Sequence, residues 1–204
     1  TPQSVPGTID DSKIVIGYSR SDIVEVRDFK GRQLARWGEV NWMQSICEMY
    51  ITKDNKIIYT TSVILGICDM QGNQLAEFNG HSRASRLAVS EDERTIAVAF
   101  SGGTFRDDIH IFNFDSATNS LDHMGQCDGQ KHDGSHKNDI TALRFTNDGK
   151  KIISASADAT IKIWDLQGNK LAKCKDIWHT PRALCVSNDG TIIAGYDDGI
   201  MRVW

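Results

Sequence analysis

Four side chains near the middle of the chain have the types and spacing of a transition-metal site. Cys127, His132 and His136 form a C-x4-H-x3-H pattern, and His123 stands just ahead of them. Thiolate and neutral imidazole are donors that zinc takes readily. Against that chemistry, Cys127 closes a short strand pattern, where a lone thiol packs as a small hydrophobe. The segment is therefore read as structural, with no metal and no cofactor expected. Catalytic chemistry is sparser still. The sequence has no GxSxG, no HExxH and no P-loop. Gly102-Gly103 precedes no helical pattern, so it cannot cradle a phosphate at a helix N-terminus. Carboxylates are plentiful, but most fall in turn sequences, where Asp bonds nearby backbone N–H groups. The chain is read as a non-enzyme.

Composition narrows the partners. The 204 residues carry a net charge of −4, which gives no basic footprint for nucleic acid. No apolar run comes near the roughly 20 residues that span a bilayer, so no membrane segment is expected. The opening Thr1-Pro-Gln-Ser-Val-Pro6 has neither the charged nor the apolar region of a signal peptide. It also lacks an initiator Met, and the expectation is a start inside a longer protein or after processing. The five cysteines are odd in number and form no CxxC pair. That argues against a disulfide framework and for a reducing, intracellular compartment, cytoplasmic or nuclear.

The elements that must position any site are strands. Three segments nearly repeat one another: Asp28-Phe-Lys-Gly31-Arg-Gln-Leu34-Ala, Asp69-Met-Gln-Gly72-Asn-Gln-Leu75-Ala and Asp165-Leu-Gln-Gly168-Asn-Lys-Leu171-Ala. Each follows a β-branched run and predicts strand, Gly turn, strand. A second turn recurs around Asp54, Asp92, Asp148 and Asp189, at spacings of 38, 56 and 41 residues, with a weaker first copy at Asp10. After each comes a nearly dry strand, such as Ile96-Ala-Val-Ala-Phe100 or Ile152-Ile-Ser-Ala-Ser156. A strand apolar on both sides must be covered on both sides. The next strand alternates, as in Val24-Glu-Val26 and Ile161-Lys-Ile163, which predicts one packed and one wetter face. An outer strand with more charge follows, and its Lys and Arg discourage edge pairing. One unit is thus four antiparallel strands in about 40 residues, and a unit that recurs at such a period marks a repeat architecture. The fold class is all-β.

The fourth unit resembles a WD40 repeat. Its residues run Gly134-Ser-His136, Ile140-Thr-Ala-Leu-Arg-Phe-Thr-Asn-Asp-Gly149, then Ile152-Ile-Ser-Ala-Ser-Ala-Asp158 and Ile161-Lys-Ile-Trp164-Asp165. The family places Gly-His before the first strand, Asp in a tight turn, and Trp-Asp at the end of the third strand, six residues after that Asp. Asp158 and Trp164 have that spacing. The resemblance implies a hydrogen-bond relay of His136, a hydroxyl from Ser154 or Ser156, Asp158 and the Trp164 indole. It also implies that Trp164 and Trp204 are core. Other units depart from the pattern: Phe112-Asn113, Cys68-Asp69 and Arg27-Asp28 replace Trp-Asp. In the fifth, His179 lies two places off the histidine register.

The resemblance implies a β-propeller of four-stranded antiparallel blades. About five are present, at approximately 1–38, 39–80, 81–128, 129–176 and 177–204, the first and last incomplete. Two bare end faces of such an arc would forfeit about 8 kcal/mol of apolar burial, so the expectation is part of a larger, seven-blade ring. Partners would then be other proteins, and further blades or domains of the same polypeptide. Trp42, Trp178 and His179 fall in connections that form one rim, and Phe105 and Arg106 in an insertion. These are the candidate partner-binding residues, since an aromatic on a rim loop is either a plug or an anchor. The function implied is a protein–protein interaction scaffold. Two alternatives stay open: a ligand-sensing propeller of a larger signalling nucleotide-hydrolase, or a structural subunit of a large assembly such as a ubiquitin-ligase adaptor or ribosome-biogenesis factor.

Overall fold

A computed structural model describes residues 13–17, 23–38, 46–80, 83–101, 108–127, 135–175 and 179–204. Among these residues every regular element is a β-strand. Strands β1 (Lys13–Gly17), β2 (Val24–Asp28) and β3 (Gln33–Trp37) make the first sheet. The second holds β4 (Glu48–Ile51), β5 (Lys56–Thr60), β6 (Ile64–Asp69) and β7 (Gln74–Asn79). The third holds β8 (Arg83–Val89), β9 (Thr95–Ser101), β10 (Asp108–Asp115) and β11 (Ser120–Gln126). The fourth is β12 (Ile140–Phe145), β13 (Lys151–Ser156), β14 (Thr160–Asp165) and β15 (Lys170–Lys175). In the fifth, β16 (Pro181–Val186), β17 (Ile192–Tyr196) and β18 (Met201–Val203) are described. Each sheet runs in chain order. The expected opening strand around residues 3–8 lies outside the described residues.

The chain divides into two compact units, residues 1–84 with 116–121, and residues 85–115 with 122–204. In the first unit the apolar side of one sheet meets that of the next. Val15, Val24 and Val26 pack with Met49, Ile51, Ile57 and Cys68, and half-buried Trp37 and Tyr59 join them. The second unit repeats the arrangement twice. Ala97, Ala99, Ile109 and Ile111 meet Leu143, Ile152 and Trp164. On the other side of the fourth sheet, Ile153, Ala155 and Ile161 meet Leu184, Ile192 and Ala194. Strand β13 is dry on both sides because a neighbour covers each side, and Ile152, Ile153 and Ala155 are all buried. Ile57 and Ile58 on β5, and Ile96, Ala97, Val98 and Ala99 on β9, are as dry.

One expectation changes. Alternation predicts that the middle residue of the third strand lies on a wetter face, but Lys162 is 2% exposed and Glu25 6%. Alternation tells which residues share a face; it does not tell whether that face is itself covered. Glu25 is held by Arg27 at 2.8 Å, with Arg36 at 3.8 Å.

The repeated turns are alike in atomic detail. Asp69 Oδ1 accepts from the backbone N–H of Gln71 and Asn73, both at 2.9 Å, and Asp165 Oδ1 from Gln167 and Asn169 at 2.9 and 2.8 Å. Asp28 does the same with Lys30 and Arg32, at 3.0 and 2.8 Å. The glycine at the tip has φ of 81°, 87° and 84° in the three copies, a region an L side chain enters only at a cost. In the other turn class Thr52, Ser90 and Thr146 each donate a hydroxyl to the Asp two residues on, at 2.5–2.6 Å. Ser187 does the same to Asp189.

First strands of successive sheets in the second unit are linked by side chains. Arg86 Nε donates to the Thr141 carbonyl at 2.7 Å, and Thr141 Oγ1 donates to the Pro181 carbonyl at 2.5 Å. Among the described residues no helix is long and apolar enough to cross a membrane, which says nothing of strands.

Candidate functional site

A buried polar cluster lies where the loop before β12 meets β13 and β14. His136 is 1% exposed. Its Nδ1 lies 3.1 Å from Asp158 Oδ2 and its Nε2 2.7 Å from Ser154 Oγ. Trp164 Nε1 donates to the same Ser154 oxygen at 2.8 Å. A carboxylate cannot donate, so we assign the imidazole proton to Nδ1. Nε2 is then the acceptor for the Ser154 hydroxyl, whose oxygen takes the indole N–H. Every donor in this chain of bonds has an acceptor while the ring is neutral.

Asp158 is satisfied on both oxygens. Oδ2 accepts the Lys137 backbone N–H at 3.0 Å, and Oδ1 accepts the Thr160 N–H at 3.0 Å and its hydroxyl at 2.5 Å. Burial alone would raise the pKa of this carboxyl. The hydrogen bond and charge of His136, with those from Thr160 and Lys137, hold it well below the usual range. Burial pushes the His136 imidazole the other way, below its ordinary value, against the pull of Asp158. Ser156 acts elsewhere in the cluster. Its hydroxyl donates to the Asn138 carbonyl at 2.7 Å and accepts the Asp158 N–H at 3.0 Å. The loop 135–139 is thus tied at His136, Lys137 and Asn138.

Two members of the cluster escape sequence reasoning. Thr160 sits two residues after a turn Asp, a spacing that favours a side-chain bond to the carboxylate. Lys162 gives no such signal, yet its Nζ donates to the Ser135 carbonyl at 2.6 Å and lies 5.8 Å from the Trp164 ring centroid. A buried ammonium needs partners of this kind.

Among the described residues, the donors of the metal-like pattern are engaged separately. Cys127 is 1% exposed and packs in the core shared by the third and fourth sheets, His136 is engaged as above, and His132 lies outside the described residues. His123 instead meets His110 across β10 and β11. Among the described residues no group of three metal-ligating side chains could hold an ion. Of the thiols, Cys68 and Cys127 are buried, Cys47 and Cys174 half-buried, and Cys185 exposed.

Of the rim candidates, Trp42, Phe105, Arg106 and Trp178 also lie outside the described residues. His179 is described. Its ring stands between two carboxylates, Nδ1 3.5 Å from Asp197 and Nε2 3.7 Å from Asp198, with its side chain 39% exposed. Asp198 is further held by Arg202 at 2.8 Å, and that guanidinium is the main reason its pKa falls to about 2. The fifth sheet builds no copy of the His136 cluster. Ala194 stands where the fourth sheet has Ser154, so the indole has no hydroxyl to donate to. Trp204, expected in the core, is 40% exposed and leans on Tyr196 at 6.0 Å between ring centroids.

Comparison with known proteins agrees with this geometry. The profile of the WD40 family (WD domain, G-beta repeat) matches residues 130–165 and 173–204. The target of rapamycin complex subunit wat1 of Schizosaccharomyces pombe is 27% identical over 124 residues, covering 60% of this chain and 35% of that protein. Mitochondrial division protein 1 of Emericella nidulans is 24% identical over 147 residues, covering 60% of this chain and 19% of that protein. The chain therefore spans about a fifth to a third of the length of these two relatives. Among solved structures, the computationally designed Ika8 protein superposes with a TM-score of 0.75 at 21% identity, over 97% of this chain and 56% of that one. Five successive antiparallel sheets have the order of β-propeller blades, and residues 130–165 and 173–204, with the His–Ser–Trp–Asp cluster of the fourth sheet, carry WD40 repeats.

Proposed function

We propose that the chain is an interaction scaffold: a set of blades whose rim loops are presented to a protein partner. The observation that carries this reading is the tethering of loop 135–139. Side chains of Asp158, Ser154, Ser156 and Lys162 hold its backbone and its histidine from the core side. A loop held in this way spends little ordering entropy when a partner docks. The candidate contact residues are Trp42, Phe105, Arg106, Trp178 and His179, with no nucleic acid as partner.

The test is alanine substitution at each of these five positions, scored for partner capture and for melting temperature. A contact residue loses capture with the melting temperature unchanged. A fall in melting temperature at all five would make them plugs over the core and would end this assignment. A second reading, a subunit of a large assembly, is favoured by the likeness to wat1, which is named as a complex subunit. Size-exclusion of native extract separates the two: an assembly subunit elutes wholly at high mass, a free scaffold only in part.

A further inference from the structure

The third sheet carries a pair of histidines that the scaffold reading does not use. His110 on β10 and His123 on β11 face each other across the two strands, and His110 Nδ1 lies 3.0 Å from His123 Nε2. Only one proton can occupy that contact, so one ring presents a lone pair to the other. Each ring has an aromatic neighbour. Phe100 meets His110 edge-on at 5.1 Å, and Phe112 meets His123 edge-on at 5.1 Å. His110 is half-buried and His123 exposed.

We propose that His110 and His123 form a two-imidazole chelate for a divalent transition metal, with the ion taking the place of the shared proton. At metal–nitrogen bonds of about 2.0–2.1 Å, donors 3.0 Å apart subtend roughly 90–95° at the metal. That is the angle between neighbouring positions of a square-planar or octahedral ion. A tetrahedral ion would need the nitrogens about 3.4 Å apart at the same bond length. The geometry therefore selects Ni2+ and Cu2+ over Zn2+, as does the general affinity order of nitrogen sites. The exposed His123 side chain turns so that the two lone pairs meet at one point, with the nitrogens kept about 3.0 Å apart. Water, or a donor from a bound partner, completes the coordination. On binding, the ring that had donated the bridging proton takes its other tautomer, with the N–H on its far nitrogen, and two nitrogen–metal bonds form with no net loss of a proton and no change of oxidation state.

The test is calorimetric titration of the full 204-residue chain with NiCl2, then with ZnCl2. The expected result is one saturable Ni2+ site per chain, weaker for Zn2+. His123→Ala should weaken Ni2+ binding at least about tenfold, a loss of one of two donors. His123→Gln repeats the test with the side-chain bulk kept, should the alanine variant melt early. His132→Ala should leave binding unchanged, which separates this pair from the Cys127–His136 segment. No saturable Ni2+ binding, binding that survives both His123 variants, loss with His132→Ala, or Zn2+ tighter than Ni2+ would each overturn the proposal.

Discussion

Ser154 is the residue on which most of the buried polar chain turns, because one hydroxyl serves both Trp164 and His136. Ser154→Ala leaves a buried indole N–H and an imidazole nitrogen without partners, and should cost about 2–3 kcal/mol in urea unfolding. Ser156→Ala, which loosens the loop at Asn138, should cost about 1 kcal/mol in the same assay. Acid should act through the same cluster. The unfolded chain protonates this histidine near its ordinary value of 6.5, whereas the folded ring stays neutral to lower pH. Below that value the unfolded state binds more protons, so stability falls as pH drops below 6.5. His136→Gln should flatten that slope. Asp158 behaves as a depressed carboxylate: its contribution is present above the ordinary 3.8 and is lost as pH falls below it. His136, Asp158 and Trp164 are legible in the sequence because their types and spacing are those of a family repeat. Lys162 is not, since nothing local says that the face it shares with Trp164 is closed by another sheet.

Among the elements, the Gly turns separate backbone strain from contact. Gly31 and Gly168 have the same left-handed backbone, φ 81° and 84°. A Cβ on Gly31 meets nothing within 4 Å, whereas one on Gly168 comes within 2.2 Å of the Gln126 carbonyl oxygen. Gly31→Ala should therefore cost about 1–2 kcal/mol, the strain alone, and Gly168→Ala at least about twice that, as chemical denaturation can measure. The Asp-to-Gly spacing makes both turns legible in the sequence. What distinguishes them is the neighbouring strand end behind one of the two, a contact set by a distant stretch of chain that no local pattern encodes. The third sheet shows the limit in another way. Its corresponding turn has no glycine, and Asn119 supplies the left-handed residue at φ 58°.

For the 204 residues as a whole, stacking decides which apolar rows are covered. Ile161 of the fourth sheet is buried against the fifth. The corresponding row of the fifth sheet, Met201 and Val203, is 75% and 62% exposed. Exposed apolar strands of this kind favour association. For the 204-residue chain by itself, the double substitution Met201→Lys with Val203→Thr should lower concentration-dependent association in light scattering and leave the melting temperature unchanged. The repeat made the number and order of sheets legible. The exposure of Trp204 was not, because identity with Trp164 by position does not supply the Ser154 hydroxyl or a covering neighbour.

The side-chain links from Arg86 to Thr141 and from Thr141 to Pro181 are the described bonds that cross from one first strand to the next. Each sheet, by contrast, is closed on itself by ladders of backbone bonds. A chain drawn out by its ends should therefore come apart in whole-sheet increments, each releasing about 40 residues, or roughly 140 Å of contour length. Thr141→Val would lower the force of one such step and leave the others as they were.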